Sequence, residues 1–294
     1  MDEETILSLI GNKRSIYPRQ LETRYPRILK KIVDLWHTPQ LEEYFAELMI
    51  DTRASQRQGF PPEIASEIFH LSQAYDKSRG MQETSGDPWN NVDMRKRYEI
   101  EELGYQVTPQ DYLKAAENQD RKAIGLYLSA GFPVDFKDDK GWTPLMISSF
   151  NGNAEIAELL IRSGANVQAK DNAGYGPMHW AAYNGYSKVV KLLISKLAEV
   201  NAISTQGLTP LLQAAARGHL ITCAALIAGG AQVNVATDEG WTALHKACAN
   251  GHTEVVKLLL AHGADRMAKH RNGDTPLSIA EQNNRADIIA LLKR

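Results

Sequence analysis

Histidine and cysteine are the residues of this sequence best suited to catalysis or metal binding. His179 and His245 occur in two similar stretches, GPMHWAA and TALHKAC. An imidazole can act as a general base or bind a metal ion, but catalysis also needs a nucleophile with a partner of its own. No such nucleophile is evident, and no His, Cys, Asp or Glu group has the spacing of a metal site or a catalytic triad. The sequence therefore predicts no enzyme, no cofactor and no metal site.

The two cysteines, Cys223 and Cys248, are too few for a disulfide framework and stand at apolar helical positions, so we expect buried, unreactive thiols. The first residues, MDEETILSLIGNKR, lack the features of a signal peptide, and no run approaches the roughly 18 apolar residues of a membrane span. The 33 basic and 35 acidic side chains give a net charge of −2, which argues against nucleic acid as the main partner. We expect a cytoplasmic protein, although export by a route without a signal would leave no mark.

These histidines and cysteines lie in a motif that recurs along the chain. Five copies, from GWTPLMISSFNG to GDTPLSIAEQNN, begin 33 residues apart at Gly141, Gly174, Gly207, Gly240 and Gly273. In most copies a threonine suited to capping a helix is followed by proline, which fits the first helical turn. A central glycine then ends the helix, and a second helix with apolar residues at helical spacing ends at another glycine. Each copy is therefore predicted to be a pair of short helices.

The period, the TPL or TALH helix start, the central glycine and the GAxVN-type ending resemble ankyrin repeats. The resemblance covers about six units: 107–139, 140–172, 173–205, 206–238, 239–271 and 272–294. It implies an all-α solenoid of helix pairs with β-hairpin fingers, and a concave surface that binds other proteins. His179 and His245 share one repeat position, where we expect a histidine to bond the neighbouring finger backbone. Gly176 replaces a capping threonine, which predicts a less firmly capped helix start. Leu197 replaces a C-cap glycine, which predicts either a different loop or local strain.

Large aromatic residues occur at variable positions of several units and are the candidate partner-binding residues. They are Trp142, Phe150, Tyr175, Trp180, Tyr183 and Trp241. Trp180 occupies a position that later units fill with Gln213 and Lys246, so we expect this position to open to solvent. Clustered aromatic residues on a concave face are typical of protein-binding hot spots. The alternative is that the rings only pack, for instance by stapling the start of each first helix.

The first hundred residues do not repeat and are expected to form a small helical module over residues 1–104. Apolar residues at helical spacing predict a helix over 20–37 and further helices after it. Residues 79–88 have the composition of a linker, and the repeat array then occupies residues 105–294.

The prediction that follows is a non-enzymatic adaptor or scaffold that binds a protein partner on the concave and finger face of a monomeric array. The N-terminal helices would contact a second partner or regulate access. The alternative is a regulatory protein whose N-terminal module senses a small anionic ligand or nucleotide and signals through the array. Arg53 and Arg57 are the candidate anion-binding residues, because they lie in a glycine-containing loop before a helix. An ordinary surface loop would explain the same residues.

Overall fold

The structure is a computed structural model of the 294-residue chain. It describes residues 25–35, 38, 40–41, 43–45, 68, 71, 92 and 94–293. The chain divides into two compact units, Met1–Asp87 and Pro88–Arg294. In the first unit, helix α1 spans Pro26–Leu35 and buries Leu29 and Ile32 on one side. None of the described helices is long and apolar enough to cross a membrane.

The second unit is built from short helices. They are α2 (Met94–Glu101), α3 (Pro109–Glu117), α4 (Arg121–Ser129), α5 (Pro144–Phe150), α6 (Ala154–Arg162), α7 (Pro177–Tyr183), α8 (Ser187–Ser195), α9 (Pro210–Ala216), α10 (Leu220–Ala228), α11 (Ala243–Asn250), α12 (Thr253–Ala261), α13 (Pro276–Gln282) and α14 (Ala286–Leu292). From α3 onward they form six pairs. Each first helix packs against its own second helix and against the next first helix, and second helices also pack on one another. This is the stacked arrangement that the 33-residue period predicts.

Local side-chain chemistry sets where the first helices begin. Thr143 Oγ1 accepts a hydrogen bond from the backbone N–H of Met146 at 3.3 Å, and a proline occupies the first turn of the same helix. The threonines before α3, α9, α11 and α13 cap their helices in the same way. The N-cap of helix α7 is Gly176, which has no side-chain acceptor. Its start is therefore less firmly capped, as the sequence predicts.

The fingers between units are tight turns. In the described residues 94–293 no regular strand forms, and a single isolated bridge pairs Ala236 with Thr242. In place of hydrogen bonds between paired strands, a side chain at the start of each turn accepts hydrogen bonds from the turn backbone. Asp171 Oδ1 accepts from the N–H groups of Ala173 and Tyr175, both at 2.9 Å. The equivalent acceptors in the other units are Asp138, Ser204, Thr237 and His270. The β-hairpin character implied by the resemblance is thus reduced to hydrogen-bonded turns.

Histidines tie the first helices to the next finger. His179 Nε2 donates to the carbonyl of Leu208 at 3.0 Å while its Nδ1 accepts from the N–H of Gly176 at 3.1 Å. His245 bonds the carbonyl of Asp274 in the same manner at 3.3 Å. Because desolvation disfavours the charged imidazolium, burial lowers the pKa of His179 to about 4. The prediction that these histidines bond the finger backbone is confirmed.

A second set of bonds runs backward, from each unit to the one before it. His252 Nε2 and Asn250 Nδ2 both donate to the carbonyl of Ala216, at 3.1 and 2.7 Å. His219 Nε2 donates to the carbonyl of Tyr183 at 3.0 Å. Carbonyls left over at the ends of the first helices therefore find donors in the following unit, as buried backbone groups require.

Helix α2 belongs to the compact unit that holds the repeats. It packs against α4, and its Ile100 is fully buried in a cluster that contains Tyr112 and Tyr127. The predicted boundary between residues 104 and 105 falls just after this helix. That residues 105–294 form an independent domain stays a prediction.

Of the two outcomes predicted for Leu197, a different loop or a strained backbone, the structure shows the strained backbone. Its φ is +60°, in the left-handed region, whereas the equivalent residue of the next unit, Gly230, has a φ of +94°. The Leu197 side chain is 86% exposed and so gains little from packing. The backbone accordingly keeps the turn of the other units and places a leucine in a glycine conformation.

Candidate protein-binding site

Five of the six candidate aromatic residues form one continuous group, the aromatic cluster: Trp142, Phe150, Tyr175, Trp180 and Tyr183. Trp180 is its centre, with ring centroids 4.5 Å from Trp142 and 5.3 Å from Tyr175. The rings of Phe150 and Tyr183 lie 5.8 and 6.2 Å from that of Trp180. These separations are those of interacting aromatic pairs. The cluster joins helices α5 and α7 to the turns that precede them.

The rings of the cluster are half-buried, so the Trp180 position is less open to solvent than the sequence suggests. Gln213, at the equivalent place in the next unit, is only 8% exposed. In two units the aromatic residue before the helix covers the position: the Tyr175 ring contacts Trp180, and Lys246 Nζ lies 4.2 Å from the Trp241 centroid. Burial also lowers the pKa of Lys246.

Two polar atoms along this row of positions have no hydrogen-bond partner among the residues that the structure describes. They are Nε1 of Trp180 and Oε1 of Gln213, and both atoms are buried. A buried donor or acceptor left unpaired costs about 1–3 kcal/mol. Both atoms lie below the surface, so a bound chain could not reach them without a movement of the side chains.

Arg217 adds a positive charge at the edge of the cluster, and the sequence analysis missed it. Its guanidinium carbon lies 4.2 Å from the centroid of the Tyr183 ring, and Nη1 donates to the Tyr183 hydroxyl at 3.0 Å. The corresponding positions of other units hold Asn151, Asn184 and Asn250, which bond the preceding unit instead. An arginine at a position that other units fill with asparagine was the feature of the sequence that could have identified Arg217. A guanidinium stacked on an aromatic ring can still bind a carboxylate.

Trp241 lies apart from the aromatic cluster. Its ring stacks on His270 at a centroid distance of 4.8 Å and an interplanar angle of 17°. His270 is 8% exposed, and its Nε2 is 3.3 Å from Oδ2 of Asp274. A cavity of about 670 Å³ with a mixed-charge lining adjoins these residues. The structure thus separates the six candidates into one cluster of five and a distinct tryptophan–histidine stack.

The remaining candidates carry no site in the described part of the chain. Arg53 and Arg57 lie outside the described residues. Among the residues that are described, no group of His, Cys, Asp and Glu side chains is arranged to hold a metal ion. Cys223 and Cys248 are free and buried, and burial raises the pKa of each thiol to about 12. A thiol protonated at neutral pH is a poor nucleophile.

Comparison with protein families gives one match. A family model described as ankyrin repeats (3 copies) matches residues 113–204 and 211–294, which together make up more than half of the chain. The matched segments contain the whole aromatic cluster, Arg217 and Trp241. Comparison with curated proteins gave no match.

Proposed function

Because the chain belongs to the ankyrin-repeat family, whose repeats are generally protein–protein interaction modules, we propose that it is a non-enzymatic adaptor. Its partner would be a protein held on the concave face, formed by the first helices and the fingers. The observation that carries the proposal is the aromatic cluster centred on Trp180. The N-terminal helices would contact a second partner or control access, and the free, buried cysteines suit a reducing, cytoplasm-like compartment.

The repeats themselves indicate that these rings are not needed for folding. The position of Tyr183 is filled by Ala216 and Ala249 in the next two units, which adopt the same helix pair. A half-buried ring that the fold does not require can gain on binding, where burial of one aromatic side chain contributes about 1–3 kcal/mol. The cluster therefore has the composition and exposure of a hot spot.

The groups around the cluster define the chemistry of the segment that would bind. The rings favour apolar or aromatic side chains, and Arg217 favours a carboxylate at one end. We expect a segment that combines an apolar residue with an acidic one.

Alanine substitution at Tyr183 tests this proposal. Tyr183→Ala removes a ring whose described contacts are Trp180 and Arg217, and it installs the residue that two sister units already have. We expect the melting temperature to change little and partner capture from native lysate, quantified by mass spectrometry, to fall about tenfold or more, which corresponds to roughly 1.4 kcal/mol.

Trp180→Ala and Tyr186→Ala complete the design. Trp180→Ala removes the centre of the cluster and should abolish capture, at some cost in stability because four rings contact it. Tyr186→Ala is the matched control, since Tyr186 precedes an outer helix and lies outside the cluster. If both cluster variants still capture the partner as well as the wild type, per folded molecule, the rings serve only for packing and the cluster is not the binding site.

A further inference from the structure

The second helix of the fourth pair, α10, carries an apolar patch on its exposed side. We call it the outer patch: Leu220, Ile221 and Ala224. Ile221 is 67% exposed and Leu220 is 38% exposed. Single exposed apolar residues are normal on protein surfaces, but these three lie next to one another on one helix, at spacings of one, three and four residues.

Comparison between units shows that the fold does not require an apolar residue here. The residues equivalent to Ile221 in the other five units are all charged: Lys122, Glu155, Lys188, Glu254 and Asp287. Ala224 likewise takes the place of Glu158, Lys191 and Lys257 in three of them. The fourth pair is thus the one whose second helix exposes isoleucine where every sister helix exposes a charge.

Unpaired lysines flank the patch. Lys188 and Lys191 are exposed on α8, and no carboxylate of the described residues lies within ion-pair distance of either. The corresponding charges of the flanking helices are paired internally: Glu158 bonds Arg162 at 2.6 Å, and Lys257 bonds Glu254 at 2.6 Å. Helices α8 and α10 contain no acidic residue.

We propose that the outer patch binds an acidic amphipathic segment of a protein partner. Apolar side chains of that segment would cover Ile221 and Leu220, and its carboxylates would pair with Lys188 and Lys191. This surface belongs to the second helices, whereas the aromatic cluster belongs to the first helices and fingers, so the two sites are separate and neither depends on the other.

Two other occupants fit the charges less well. An anionic membrane surface would meet Glu155 and Glu254 on the flanking helices as well as the lysines, and like charges repel there. A second copy of the chain, docked patch to patch, would bring no carboxylate from its own α8 or α10 to Lys188 and Lys191, because neither helix contains an acidic residue. A narrow acidic segment avoids both conflicts.

Peptide display against the full chain tests the proposal. A library of random 16-residue peptides is selected on the wild-type chain after depletion on Ile221→Glu, a substitution that installs the residue of two sister units. Enriched peptides should combine Asp or Glu with apolar residues three or four positions apart. One such peptide, labelled and titrated by fluorescence anisotropy, should bind Ile221→Glu about tenfold more weakly.

The matched variants separate the causes. Lys188→Glu should weaken the same peptide, with a smaller effect at high salt because screening removes the charge term. Lys122→Glu makes the same charge change at the same repeat position of the first pair and should leave affinity unchanged, as should Tyr183→Ala in the aromatic cluster. Melting temperatures of the Ile221, Lys188 and Lys122 variants should match that of the wild type, since the altered side chains are exposed.

Three results would overturn the proposal. The first is enrichment of basic peptides, or of none beyond those that bind Ile221→Glu. The second is sedimentation with phosphatidylserine vesicles that Ile221→Glu abolishes, which would make the patch a lipid site. The third is a wild-type dimer, seen by sedimentation equilibrium, that the same substitution dissociates.

Discussion

Replacing Leu197 with glycine is expected to stabilise the repeat array. Leu197 holds a left-handed φ of +60° at a position where other units have glycine. That conformation costs an L-residue about 1–2 kcal/mol, and glycine adopts it freely. The side chain is 86% exposed, so its removal gives up little buried area. The hydrogen bond from Gln168 Nε2 to the Leu197 carbonyl, at 2.9 Å, is a backbone contact that glycine keeps.

The unfolded state offsets part of this gain. Glycine loses more conformational freedom on folding, a cost of roughly 0.5–1 kcal/mol. The net gain expected for Leu197→Gly is therefore about 0.5–1 kcal/mol. For a unit of this size, such a change raises the melting temperature by about 1–4 °C.

The converse substitution, Gly230→Leu in the next unit, is the matched control. Gly230 has a φ of +94°, and a Cβ placed there meets no atom within 4 Å, so only the backbone conformation is perturbed. Thermal and urea melts of the full chain should show shifts of opposite sign for the two variants. A lower melting temperature for Leu197→Gly, or none for Gly230→Leu, would refute the claim that left-handed strain sets the stability of this turn.

Three further predictions concern stability. Gly230→Val and Gly263→Val should each cost more than about 1 kcal/mol in chemical denaturation, because both glycines have positive φ. Residues 105–294 should fold alone, with helical circular dichroism and a monodisperse gel-filtration peak, while residues 88–294 should melt higher because α2 packs on α4. Stability should fall with acid: burial lowers the His179 pKa from 6.5 to about 4, so the unfolded chain binds the extra proton between these values. The stability that the neutral His179 contributes is complete above pH 6.5 and is lost as the pH falls towards 4. His179→Gln should therefore make the slope of melting temperature against pH shallower.

Each of these has a clear contrary outcome. Unchanged melting temperatures for both valine variants would contradict the repeat phasing. An unfolded or aggregated 105–294 fragment, prepared beside the intact chain, would place the domain boundary elsewhere. Equal pH slopes for the wild type and His179→Gln would show that this imidazole is not the group that titrates.

The features that the sequence predicts well are those decided within one unit. Thr143 caps the helix that begins at the next residue, and the bond reaches only three residues along the chain. Histidine at two equivalent positions indicates a shared structural role, and the bonds of His179 and His245 confirm it. Because the same local pattern occurs in several units, the helix pairs can be predicted from the sequence.

Features that depend on how a turn folds over its neighbours could not be predicted. The exposure of Trp180 depends on the Tyr175 ring that covers it and on Trp142 from the preceding unit. The pair formed by Arg217 and Tyr183 joins residues 34 positions apart, so neither sequence neighbourhood predicts it alone. Five residues can be assigned to one patch from their repeat positions, but their depth in the surface follows from contacts between units.

The backward hydrogen bonds have a consequence for how a gene encoding this array can grow. His252 and Asn250 reach the carbonyl of Ala216 one unit earlier, so each unit supplies donors to the unit before it and needs donors from the next. A duplication whose length is a multiple of 33 residues gives every new junction the same donors and acceptors. A duplication out of phase would leave buried carbonyls without donors and so destabilise the fold. We therefore expect such an array to be extended by whole copies.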